Sequence, residues 1–115
     1  MKIATTFKDG QISDHFGRTE SFKIYEIEDN KIINSYIIGN DGLSHGSLVS
    51  LLVKENVNVL LCGTIGTGAI NILNDNNIKC VPGTFGNSDN VINNYLAGNI
   101  LQKPNAIHEC NHHKE

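Results

Sequence analysis

The sequence predicts an α/β protein. It is a three-layer α/β/α sandwich around a five-stranded mixed sheet, in the order β-β-β-α-β-α-β-α, with the second strand antiparallel. Three observations predict this. Two alternating apolar segments flank a two-residue turn, Asp29-Asn30, which reads as a hairpin. Two short apolar runs, Val57 to Cys62 and Ile78 to Val81, read as strands covered on both faces. Helical periodicity separates and follows these runs, and strand–helix alternation implies parallel neighbours joined by right-handed crossovers. The 115 residues suit one domain with one core. We assign that domain to residues 1–101 and read 102–115 as a flexible tail.

The elements follow in order. Lys2 to Phe7 reads as the first strand and Lys8-Asp9-Gly10 as a turn. Ser21 to Glu28 alternates through Phe22, Ile24, Tyr25 and Ile27, and Lys31 to Ile38 is its hairpin partner. Gly39 to Gly42 is a loop. From Ser47 the period becomes helical through Leu48, Leu51, Leu52 and Glu55, with Ser44 or Ser47 as the cap. After the strand to Cys62 comes a glycine-rich turn, Gly63 to Gly68, then a helix over Ala69 to Asn76 carrying Ile70, Ile72 and Leu73. Pro82-Gly83 ends the last strand. Ser88 is read as the cap of a third helix carrying Val91, Ile92, Tyr95 and Leu96, closed by Gly98.

Open α/β sheets bind ligands outside the carboxyl ends of their parallel strands. In this topology the loops over residues 8–19, 39–46, 63–68 and 82–87 emerge there. His15 and His45 fall in them, and Cys62 stands at the brink of one. So do Gly39, Gly42, Gly46, Gly63, Gly66 and Gly68. Each also has a plainer role: a solvated loop histidine, a small core cysteine, or a glycine needed for a sharp turn. Cys80, inside a strand, is assigned to the core. Their convergence on one edge favours a ligand.

Several functions are excluded. Net charge is −3, from nine basic and twelve acidic residues, with no Lys/Arg run to hold nucleic acid or an anionic membrane. There is no apolar stretch of membrane-spanning length and no leader pattern, so a cytoplasmic location is expected. Three widely spaced cysteines do not form a secreted disulfide framework. The turn Gly63-Thr64-Ile65-Gly66-Thr67-Gly68 has the wrong spacing for a dinucleotide loop and lacks a Gly-Lys-Ser/Thr step, so no nucleotide is expected. Its amides suit a generic anion, including the sulfides of a metal cluster. No nucleophile elbow and no paired strand carboxylates appear, so an enzyme is the least favoured reading. The tail His108-Glu109-Cys110-Asn111-His112-His113 is dense in soft metal donors. Cys110, His112 and His113 are therefore metal candidates beside His15, His45 and Cys62, with a plain disordered tail as the alternative.

Two segments carry a family resemblance. Ile12-Ser13-Asp14-His15-Phe16-Gly17-Arg18, followed by Phe22-Lys23-Ile24-Tyr25-Glu26-Ile27-Glu28, resembles the signature of the dinitrogenase iron–molybdenum cofactor biosynthesis family. That family includes NifX-like proteins and the C-terminal domain of NifB. His45-Gly46, Cys62-Gly63-Thr64-Ile65-Gly66 and Tyr95-Leu96-Ala97-Gly98 resemble its later steps. The resemblance spans roughly residues 1–100. It implies a ribonuclease H-like domain, not catalytic, that carries iron–sulfur or iron–molybdenum-type clusters or their precursors during assembly. The partners implied are the cluster and the assembly or acceptor proteins. The binding residues implied are His15, Phe16, Gly17, His45, Gly46, Gly63, Thr64, Ile65 and Gly66. The His/Cys tail resembles stand-alone members outside nitrogen fixation. The alternative function is a small regulatory or interaction module that binds an anion or a partner protein at the same edge.

Overall fold

The computed structural model describes residues 1–40, 45–98 and 107–108, with backbone alone for His45, Gly46, Ile107 and His108. Strand β1 (Lys2–Lys8) turns through Asp9 and Gly10 into the two-residue β2 (Gln11–Ile12). Both turn residues hold positive φ, 50° and 86°, which glycine adopts freely and aspartate tolerates. A single 3₁₀ turn, Phe16–Arg18, leads to β3 (Ser21–Glu28) and β4 (Lys31–Gly39). Asp29 and Asn30 join this pair at φ 53° and 63°. Two positive values in a two-residue loop make the turn whose twist matches that of a hairpin.

Helix α1 (His45–Lys54), β5 (Val59–Leu61), β6 (Ile65–Gly66), α2 (Thr67–Asp75) and β7 (Lys79–Val81) follow. Helix α3 (Ser88–Leu96) and β8 (Ile107–His108) complete the described chain. The main sheet runs β4-β3-β1-β5-β7, with β2 also on β1. β3 is antiparallel to β1 and β4, and β5 and β7 continue parallel to β1. This is the topology expected, with the second long strand reversed. The pair β6–β8 forms a separate small sheet, which periodicity did not anticipate.

Strand alternation divides the core into two layers. Ala4, Phe22, Ile24 and Leu60 pack with Leu48, Leu52, Ala69 and Leu73 of α1 and α2. Ile3, Tyr25, Val59 and Leu61 pack with Val91 and Ile92 of α3 on the opposite face. All three residues of β5 are buried, as a central strand between two helical layers requires.

One cap differs from expectation, and of the two cap residues expected for α1 one is excluded. α1 begins at His45, so Ser47 lies inside the helix; Ser44 lies outside the described residues. α3 is capped by Asn87, whose side chain accepts from the Asn90 amide at 3.0 Å. Ser88 is instead the first helical residue, and its hydroxyl clamps α3 to the sheet. It lies 2.8 Å from Thr5 Oγ1 and 2.7 Å from the Tyr25 hydroxyl. Tyr25 donates to Asp89 Oδ1 at 2.6 Å, and Lys23 Nζ reaches the same oxygen at 2.9 Å.

Burial, then the bond to Asp89, pushes the Tyr25 hydroxyl well above its ordinary range. The Tyr25 bond, then the Lys23 bond, holds the Asp89 carboxyl below its ordinary range. The Asp89 contribution is present above the ordinary carboxylate range and lost as pH falls through its lowered folded value. The Tyr25 contribution is present below the ordinary tyrosine range and lost as pH rises through its raised folded value. Tyr25→Phe should cost about 1–2 kcal/mol at neutral pH and shallow both pH slopes, as read from urea midpoints across pH.

Candidate functional site

The site is built where the loops after β1, β5 and β7 interlock through their backbones. The Thr64 amide donates to Asp14 O at 2.6 Å, and the Phe16 amide donates to Thr64 O at 2.9 Å. These two bonds make a parallel bridge between His15 and Thr64. Gly83 N donates to Gly63 O at 2.7 Å, and Thr84 binds Cys62 O through both its amide and its hydroxyl. The loop after β7 joins β2 through Ile12 N to Gly86 O at 2.8 Å. α1 packs against the 3₁₀ turn that follows His15. Its start, at His45, therefore belongs to the same edge. The side chains of His45 and Gly46 lie outside the described residues.

The bridge sorts its residues by period two. His15 is exposed and Phe16 is fully buried; Thr64 is half-buried and Ile65 is almost fully buried. Phe16 and Ile65 are therefore core anchors, and only their backbone faces the edge. Phe16 rests against Phe22 with ring centroids 6.0 Å apart. Gly17 is half-buried within the 3₁₀ turn.

The His15 ring is held by Thr64. The Thr64 hydroxyl donates to Asp14 O at 3.0 Å and also contacts His15 Nδ1. A hydroxyl carries one proton, and here it goes to Asp14. With that proton on Asp14 O, Thr64 Oγ1 would accept from Nδ1–H, and the ring's lone pair would lie on Nε2. A hydrogen bond that fixes the tautomer in this way is how proteins prepare a metal-ligating imidazole.

A part-buried polar net supports the His15 loop from behind. Ser13 donates to Thr19 Oγ1 at 2.8 Å, Thr6 donates to Ser13 O at 3.1 Å, and Asn40 Nδ2 donates to Thr19 O at 2.7 Å. The supporting roles of Ser13, Thr19 and Asn40 are not evident from the motif. The signal was a run of small hydroxyl and amide residues in otherwise irregular chain, the types that bond to loop backbone.

Cys62 is not presented to the edge. It is fully buried, with its sulfur 3.9 Å from that of Cys80. The hydrogen bond to Cys80, then burial, pushes the Cys62 thiol well up, while that bond lowers Cys80. A thiol held protonated is a poor metal ligand. Among the described residues, no three His, Cys, Asp or Glu side chains gather into a metal site. Cys110, His112 and His113 lie outside the described residues.

Among the described residues, three helices begin at this edge, because β4, β5 and β7 all run parallel to β1. Their N-terminal ends favour negative charge. The α2 cap is Gly66, which brings no side chain of its own to the first-turn amides. Among the described residues, a Cβ at Gly66 would meet nothing within 4 Å.

Fold and edge together define a small α/β domain with an open loop edge at the carboxyl ends of its parallel strands, the position where such sheets hold ligands. The chain belongs to the dinitrogenase iron–molybdenum cofactor family, whose model matches residues 1–98. It is 32% identical over 105 residues to the uncharacterized protein MJ0580 of Methanocaldococcus jannaschii, covering 87% of this chain and 89% of that protein. The crystal structure of PH0822 is similar at a TM-score of 0.88 and 26% identity, over 92% of this chain and 97% of the other. That of MJ0327, also from Methanocaldococcus jannaschii, gives 0.73 and 27% identity, over 91% and 96%. Among the described residues no helix is long and apolar enough to cross a membrane.

Proposed function

We propose that this chain is a non-catalytic carrier. It holds an iron–sulfur or iron–molybdenum-type cluster, or a precursor, at the His15 edge during cluster assembly. One observation carries the reading: an exposed histidine whose ring is held through Nδ1 by the Thr64 hydroxyl, the arrangement that would make Nε2 the ligating nitrogen. The converging helix N-termini and the glycine turn beside Thr64 suit a bulky anionic cargo. His45, at the start of α1, is the second proposed ligand. Gly17, Gly46, Gly63, Thr64 and Gly66 shape the surface around them. Cluster-assembly or acceptor proteins are the proposed partners, and the cytoplasm the proposed location.

The test is anaerobic reconstitution of the full chain with iron and sulfide, with iron counted per protein. The native chain is expected to take up iron and develop visible charge-transfer colour. His15→Ala combined with His45→Ala is expected to lose most of that uptake. Equal uptake by the double variant would remove the proposed site. The glycine-capped α2 terminus favours one second reading, a module that senses a simple anion. A colourless, iron-free product that still binds sulfate or phosphate would select it.

A further inference from the structure

Two thiols stand together in the layer under α1 and α2. Cys80 lies in β7 opposite Leu60 of β5, and Cys62 lies two residues beyond Leu60, on the same face. Their sulfurs are 3.9 Å apart. Cys62 is fully buried, whereas Cys80 is half-buried on β7, the last strand of the described main sheet. A small oxidant entering from that side meets Cys80 first. The hydrogen bond between the thiols also lowers Cys80, which favours the thiolate, the form that attacks oxidants.

The pair is tied to the site loops through the Cys62 backbone. Cys62 N donates to Val81 O at 3.2 Å, and Cys62 O accepts from the Thr84 amide at 2.9 Å and hydroxyl at 2.8 Å. These bonds hold Cys62 to the β7 side of the sheet. The next residue, Gly63, is wedged against Asp14 O, and the Thr64 amide donates to the same oxygen at 2.6 Å. Two residues therefore separate the buried thiol from the contact that holds Thr64 beside His15.

We propose that Cys62 and Cys80 are a reversible oxidative modification site whose oxidant is hydrogen peroxide, and that their disulfide loosens the Thr64–Asp14 contact. The Cys80 thiolate attacks one peroxide oxygen and the O–O bond breaks. Hydroxide leaves and takes up the proton that Cys80 released, giving water and a Cys80 sulfenic acid. The Cys62 sulfur then attacks the Cys80 sulfur. The S–O bond breaks, and the hydroxyl leaves as a second water with the Cys62 proton. Two thiols are oxidised to one disulfide and one peroxide is reduced to two waters. The sulfurs close from 3.9 Å to about 2.0 Å. Diagonal neighbours on adjacent strands lie about 7–8 Å apart, just past the roughly 7 Å that a disulfide spans without backbone movement. Cys62, one residue past the end of β5, gives toward β7 and away from β1 and the Asp14 loop. Gly63 and Thr64 follow it. A cross-link that needs this shift is strained, which makes it easily reduced again. The inference needs no cargo and does not rest on the carrier reading.

The test uses the full chain with Cys110→Ser, which leaves Cys62 and Cys80 as its only thiols. The reduced, metal-free protein is treated with hydrogen peroxide and mapped with trypsin, which cuts after Lys54 and Lys79 and so separates the two cysteines. A linked Cys62–Cys80 peptide is expected, lighter by two hydrogens than the free pair and parted by dithiothreitol. With Cys62→Ala added, Cys80 is expected to stop at a sulfenic acid that dimedone traps. In the oxidised form, amide exchange is expected to be about tenfold faster at Thr64 and unchanged at Ile24 of β3. Absence of the linked peptide, or linkage only between two chains, overturns the site. A disulfide that leaves Thr64 exchange unchanged overturns the coupling to the His15 edge.

Discussion

Replacing Phe16 with alanine is expected to cost about 3–5 kcal/mol of folding stability, measured as a shift in the urea midpoint at constant slope. Phe16 is fully buried and tilted at 50° to Phe22 in the layer under α1 and α2. It stands between His15 and Gly17, in a segment with only a single 3₁₀ turn of regular structure. Its ring is therefore the main apolar anchor of the site loop. Removing it leaves a cavity that neighbours on two rigid elements fill only in part. Phe16→Leu should recover more than half of the loss, because it keeps most of the volume. If Phe16 bound cargo through its ring, the alanine variant would lose uptake with little change in stability.

Gly63→Ala is expected to cost about 2–4 kcal/mol and to loosen three loops together. Gly63 is buried between the loops after β1 and β7. A Cβ there would lie 2.5 Å from Asp14 O and 3.0 Å from the Phe85 ring. The closer atom is backbone, so relief means moving Asp14. That movement breaks the amide bond from Thr64 to Asp14 O and, with it, the Thr64 hydroxyl bond to that oxygen. Gly68→Ala is the control. It lies in the first turn of α2, and its Cβ would meet nothing within 4 Å, so equal or slightly higher stability is expected. A Gly63→Ala protein as stable as the native chain would mean that the loops do not interlock as described.

The fold was legible because its signals are local and strong. Asp29-Asn30 between alternating segments specifies the hairpin turn, and the apolar run around Leu60 specifies a central strand. The convergence of the loops followed from strand direction alone. What stayed hidden lies in two-residue ladders, which have no room to show a period. The His15–Thr64 bridge and the β6–β8 pair depend on contacts between residues far apart in sequence. The resemblance implies Phe16 and Ile65 as binding residues, but their side chains are buried, each the inward neighbour of an outward residue. Cys62 was readable from β5, where counting by two from Leu60 places it in the same core layer. Ser88 was taken as a cap because helix-start preference is local, whereas its partners Thr5 and Tyr25 lie on other strands.

The central claim is that His15, positioned by Thr64, ligates a cluster through nitrogen. Its most direct test is pulsed electron paramagnetic resonance of the reduced, cluster-loaded chain, with histidine labelled with nitrogen-15. A histidine nitrogen coupling is expected that disappears in His15→Ala and weakens in Thr64→Val. A loaded cluster with no histidine coupling, or one whose coupling survives His15→Ala unchanged, would contradict it.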